Sequence, residues 1–202
     1  MKLQEAIRIA YACAKEYSNN LLGRNLLFVI MDKHKNVHTL EVQFGTRQFQ
    51  HLTGLKTDNI TSVDFFNRCL DQRLSEDDVA FAEDGTTELK LRVLPDLMRK
   101  NLSAKMVGDY NNLQPKLITG KIAGNVNSCM GFVVDEKNNK YVPNTVLQGD
   151  IRDKVEQTYR IVLTYSKMIT EEKYTEIVFA SNKIDWDTLE LPEEYGYLPL
   201  PE

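Results

Sequence analysis

NLLFVIM (25–31), DKHKN (32–36) and VHTLEVQF (37–44) decide how the chain is read. Two runs rich in branched and aromatic residues flank a short polar turn, the pattern of a β-hairpin. In the second run Val37, Thr39, Glu41 and Gln43 would face one side, and His38, Leu40, Val42 and Phe44 the other. Upstream, Leu3, Ala6, Ile7, Ala10, Ala14 and Tyr17 recur at helical spacing across 2–18, with Asn19, Asn20 and Gly23 as stop signals. Downstream, GTRQFQHLTGL (45–55) breaks the strand pattern, and Phe49, Leu52 and Leu55 can anchor a short helical turn. Thr61 or Ser62 can cap a helix to about residue 74, burying Phe65, Phe66, Cys69 and Leu70, and Ser75 can cap a further turn. The stretch 86–102 reads as two helical pieces around Pro95.

From about residue 103 the period turns to two. Strands are predicted at 104–110, 116–122, 129–136 and 139–143, with Asn138–Asn139 as a hairpin turn. Residues 145–157 read as a turn and a short helix. YRIVLTYSKM (159–168) and YTEIVFAS (174–181) form a second hairpin across ITEEK. Helices in the first half and strands in the second specify an α+β class, an N-terminal helical part packed on an antiparallel β-sheet. Residues 1–183 are read as one domain. The acidic, Pro-rich segment 184–202 is read as an extended tail and not a core element.

The chain has 202 residues, enough to bury a core without a metal or disulfide. No apolar run nears the roughly 20 residues of a membrane span, and the first residues do not form a secretion signal. The three cysteines are scattered and odd in number, which fits a reducing cytoplasm. C-x-x-C, H-E-x-x-H, G-x-G-x-x-G and Walker patterns are absent from the sequence, so the common zinc, dinucleotide and P-loop classes lose their support. The net charge of −4 conceals a division. Residues 75–88 and 184–202 each hold six acids and no Lys or Arg, while the remaining 169 residues hold 25 basic and 17 acidic side chains. The whole-chain charge argues against a nonspecific nucleic-acid binder, but the body is basic and the two acidic segments mask this in the total.

His51 is the most informative single residue. It can exchange a proton near neutral pH, with Arg47 and Lys56 near in sequence to stabilise phosphate charge. The plainer reading is that it caps or packs a helical turn. His34 and His38 read as part of a solvated hairpin, not a metal pair. YVPNT (141–145) either ends a strand in a turn or projects Asn144 and Thr145 into a cleft beside Tyr141. Ser128 and Cys129 are nucleophiles by type alone. Lys167 is either a solvated edge residue or a cation lining a sheet face.

FQHLTGL (49–55), CMGFVVDEKNNKYVPNTVLQGDIR (129–152) and the paired TYSK and YTEIVFAS segments together resemble the phage-type branch of the barnase–EndoU–colicin–RelE-like (BECR) nucleases. The resemblance covers roughly residues 25–181. It implies a BECR-like fold and a ribonuclease that needs no metal or other cofactor. In that chemistry the ribose 2′-OH attacks the adjacent phosphate, leaving 2′,3′-cyclic phosphate and 5′-OH ends. By the resemblance His51, Thr145 and Lys167 fall at catalytic positions and Asn144 in the polar pair after the proline. Arg47, Thr53, Lys56 and Tyr141 are added as substrate-binding candidates. RNA is the implied partner, with a protein inhibitor or antitoxin as a further one. The alternative is an inactive relative that binds RNA, a nucleotide or a protein. The tail, by its charge, is expected to cover the basic face, to be disordered, or to dock a partner through Trp186, Tyr195 and Tyr197.

Overall fold

A computed structural model describes residues 1–113 and 115–201. The chain opens with helix α1 (Leu3–Asn20), whose buried stripe is Ala6, Ile7, Ala10, Cys13, Ala14 and Tyr17. Strands β1 (Arg24–Met31) and β2 (Val37–Gln43) form the expected hairpin, with Phe28 opposite Leu40. Its turn is held by Asp32, whose carboxylate accepts from the backbone N–H groups of His34 and Asn36 at 2.7 and 2.9 Å. A 3₁₀ turn (Thr46–Gln48) leads into α2 (Phe49–Thr53). Helix α3 (Ser62–Leu70) follows, capped by the Thr61 side chain, which accepts from Asp64 N–H. Helix α4 (Thr86–Leu97) completes the helical half.

Strands β3 (Met106–Asp109), β4 (Lys121–Gly124), β5 (Ser128–Asp135), β6 (Lys140–Gln148), β7 (Tyr159–Met168) and β8 (Glu176–Ala180) make up the second half. The sheet order is β1-β2-β6-β5-β4-β3-β7-β8, and β1 also pairs along β7, so seven strands close on themselves with β8 outside the ring. Among the described residues all strand pairings are antiparallel except a single parallel bridge, Val42 to Tyr141. The α+β expectation therefore holds, with closure added.

Strand β1 is a continuous apolar run because both its faces are buried. Leu26, Phe28 and Ile30 join the main core beneath the helices, where Tyr17, Phe44, Phe49, Phe65 and Phe66 pack together. Leu27 and Val29 face the other way, into a second core with Leu163, Tyr165 and Tyr174.

Several sequence readings need correction. Pro95 lies inside α4, two residues before its end, so one helix replaces the two pieces. The proline's missing N–H disturbs only the last turn. Leu70 ends α3 on the exposed side. Of the predicted 116–122 strand only the end survives, in β4. Strand β6 runs through YVPNT to Gln148 instead of stopping there, and a 3₁₀ turn at Ile151–Asp153 is all that remains of the short helix. Its continuity rests on a bulge: Gly131 pairs with Thr145 but Phe132 with Pro143, leaving Asn144 as the extra residue. The tail is the largest departure. Leu189 and Leu198 are buried against Leu27, Val29, Leu163 and Tyr165 in the second core. The Tyr165 hydroxyl donates to Pro199 C=O at 2.8 Å. Its few apolar residues, spaced by prolines and acids, bury one face that composition alone hides. Among the described residues no helix is long and apolar enough to cross a membrane.

Candidate active site

Helix α2 is a single turn, too short to be stable alone. It is held from three directions. Phe49 and Leu52 are fully buried. Gly54 ends the helix in the left-handed conformation (φ +72°), and its N–H donates to Gln50 C=O. A Cβ at Gly54 would lie 2.9 Å from Lys90 Cδ and 3.2 Å from Thr87 Cα, so the glycine is what lets α4 approach this closely. Thr87 locks the contact: its hydroxyl donates to Gly54 C=O and accepts from Ala82 N–H, both at 2.8 Å.

With Phe49 and Leu52 turned inward, His51 points outward from α2 and borders a cavity of about 510 Å³. Lys90, one turn beyond Thr87 on α4, donates from Nζ to His51 C=O at 2.9 Å. It thereby satisfies one of the carbonyls left free at the helix end. Lys56 follows Leu55 and is fixed by two backbone hydrogen bonds with Ala80. Residues 144–148 of β6, the 115–117 loop and Lys154 close the far side. Lys56, Lys90, Lys116 and Lys154 thus share a cavity with His51 and with a single carboxylate, Asp84. That carboxylate accepts from Thr86 N–H and Oγ, bonds that hold it below the usual carboxylate range.

The electrostatics follow from this crowding. Desolvation, then Lys90 and Lys56, push the His51 imidazole below its ordinary value, so it is neutral at pH 7. Desolvation, then Lys56, also lower the Lys90 ammonium, which makes it a stronger acid than an exposed lysine.

Of the residues singled out by sequence, the structure brings His51, Lys56, Asn144 and Thr145 to one cavity. Asn144 works there as a latch: its Nδ2 donates to Ile118 C=O at 2.6 Å and its Oδ1 accepts from Thr119 at 3.2 Å. Thr145 is buried, and its hydroxyl donates to Val146 C=O at 3.5 Å. The others lie elsewhere. Arg47 borders a separate recess with Gly45 and Val63. Thr53 is fully buried, its hydroxyl donating to Gln50 C=O and accepting from Leu55 N–H. Tyr141 sits at the β6 end paired with Val42 and Val134. Lys167 shares its face of β7 with Leu163 and Tyr165, the face of the second core and the tail. Its Nζ donates to Glu172 C=O at 2.8 Å and stands over the Tyr174 ring. The tail likewise covers that face and not the His51 cavity.

Sequence reasoning missed Lys90, Lys116 and Lys154. None of the three carries a local sequence signal, because they come from separate segments that line one cavity only in the fold. Cys129 is buried and its thiol is pushed up to about 12 by desolvation, so it is no nucleophile at neutral pH. His38 packs edge-on against Tyr159, as the solvated-hairpin reading allows. Among the described residues no three His, Cys, Asp or Glu side chains converge to hold a metal ion.

A family model, phage-Barnase-EndoU-ColicinE5/D-RelE like nuclease4, matches residues 9–183. The chain belongs to this nuclease family. The match includes the His51 helix, both lobes of the cavity and all eight strands, and it ends where the tail begins. Neither a curated protein nor a solved structure matches the chain. The nuclease4 family assignment agrees with the α+β fold.

Proposed function

We propose that this nuclease4 family member is a metal-independent ribonuclease that cleaves RNA by 2′-OH attack. The observation that carries this reading is the meeting of one neutral imidazole and four lysines in a single cavity. The His51 imidazole accepts the 2′-OH proton as the 2′-oxygen bonds to phosphorus. The P–O5′ bond breaks, and the leaving oxygen takes a proton from the Lys90 ammonium. Products are a 2′,3′-cyclic phosphate and a 5′-OH. Proton exchange with water then restores both groups. Lys56, Lys116 and Lys154 bind the phosphate oxygens and stabilise the extra charge of the phosphorane. Asn144 positions the loop that holds Lys116. General acid–base catalysis of this kind supplies roughly 10²–10⁴-fold in rate.

The family resemblance adds a biological class: a phage-derived or toxin-like enzyme acting in the cytoplasm, with RNA as substrate and a protein inhibitor as partner. The test is cleavage of mixed RNA in excess chelator by wild type, His51→Ala and Lys90→Met. Cyclic-phosphate ends from wild type, strongly reduced in both variants, are the expected result. Undiminished cleavage by His51→Ala removes His51 from the mechanism. RNA binding without cleavage by wild type favours the inactive, binding relative.

A further inference from the structure

A second basic groove lies apart from the His51 cavity, and the two share no lining residue. It encloses about 930 Å³ where the ends of β1, β3, β7 and β8 meet. Lys33, Lys105, Arg160 and Lys183 border it, and all four are exposed. Among the described residues none of the four makes an ion pair. Asp32, the one carboxylate among the described residues that line the groove, is already occupied by the hairpin turn through His34 and Asn36.

Two of the cations, Lys105 and Arg160, are held in place by the fold. Met106 and Arg160 are register partners between β3 and β7, and Lys105 C=O accepts from Ile161 N–H at 2.9 Å. Lys105 Nζ stands 3.9 Å from the centroid of the Phe179 ring. The Arg160 guanidinium donates to Ser181 Oγ at 2.7 Å, which fixes one edge of its fork and leaves the rest of its donors free. Unneutralised cations beside a partly exposed aromatic ring are the elements of a single-strand nucleic-acid site: phosphates meet the charges, and the exposed part of the Phe179 ring beside Lys105 gives a base an apolar surface.

We infer that this groove is an anchoring site for single-stranded RNA, separate from the place of cleavage. Lys33, Lys105, Arg160 and Lys183 bind successive phosphates and Phe179 offers the apolar surface. The inference takes from the proposed function only the identity of the ligand. Cleavage at His51 and anchoring at the groove therefore fail separately.

The experiment uses the full chain carrying His51→Ala and a fluorescent 20-nucleotide oligo(U), followed by anisotropy over a range of salt. Lys105→Glu combined with Arg160→Glu, and separately Lys33→Glu combined with Lys183→Glu, should each weaken binding at least tenfold. Each pair should also flatten the dependence of log Kd on log[salt] by about 1.4, two phosphate contacts at about 0.7 each. The same charge change at Lys2, the residue that precedes α1, and at Lys15 on α1 serves as control and should leave affinity within twofold; circular dichroism checks folding throughout. Affinity unchanged in both groove variants, equal losses in the α1 control, or no binding of oligo(U) by the parent protein overturns the inference. If the groove variants lose binding while wild type cleaves no RNA, the anchoring site stands and the His51 mechanism falls.

Discussion

Replacing Phe49 by alanine tests how the site is mounted. The ring is fully buried and packs at centroid distances of 5.3 Å from Tyr17, 5.2 Å from Phe66 and 6.2 Å from Phe65. Phe→Ala in such a core costs about 3–5 kcal/mol, the transfer loss plus the cavity left behind. A value near 4 kcal/mol lowers Tm by roughly 8–16 °C in a chain of this size. That is a large share of the roughly 5–15 kcal/mol that holds a typical domain folded. The effect should also reach the chemistry, because α2 has one turn and hangs from Phe49, Leu52 and the Gly54 cap. Urea unfolding followed by far-UV circular dichroism gives the free energy, and Phe49→Leu should lose less than Phe49→Ala. A loss below about 1 kcal/mol for Phe49→Ala would refute the claim that this ring cluster anchors α2.

Four further outcomes are expected. The His51 imidazole should titrate below its ordinary value of about 6.5 in a proton NMR titration, and Lys90→Met should raise it; an unmoved titration breaks the coupling. Because the unfolded imidazole binds its proton at higher pH than the folded one, His51 lowers stability as pH falls below about 6.5 and leaves it unaffected at neutral pH. Gly54→Ala should cost about 1–2 kcal/mol from the left-handed backbone alone, with more from the 2.9 Å approach to Lys90, and should reduce cleavage; thermal melts and initial rates read both. Ending the chain after Lys183 should lower Tm and expose Leu27, Leu163 and Tyr165 to a hydrophobic dye, and an unchanged Tm would contradict the tail's place in the second core.

The parts of the fold legible in the sequence are those set by local chemistry. Asp32 and Asn36 build the first hairpin turn, Thr61 caps α3, and Ser75 forms a capping box with Asp78. Runs rich in branched and aromatic residues on either side of a short polar turn marked both hairpins. The rest depends on distant partners. Closure of the sheet joins Phe28 to Thr164, and nothing near either residue announces it. Strand β6 continues past Pro143 because β5 offers a partner along its length and Asn144 takes up the extra residue. The site divides in the same way. FQHLTGL exposed His51, since Phe49, Leu52 and Gly54 fix its direction. Lys90, Lys116 and Lys154 come from three segments that meet only after folding. For Lys167, alternation along β7 was readable, but which face carries the helices is settled by packing, and Lys167 lies on the other one.

The central claim is that the His51 cavity cleaves RNA through the 2′-OH. The most direct measurement is ³¹P NMR of a dinucleotide incubated with the protein in excess chelator, beside the same dinucleotide lacking the 2′-OH. A 2′,3′-cyclic phosphate resonance is expected with wild type and the ribose substrate, and none with the deoxy substrate or with His51→Ala. Cleavage of the deoxy substrate, or a cyclic-phosphate signal that survives His51→Ala undiminished, would contradict the account.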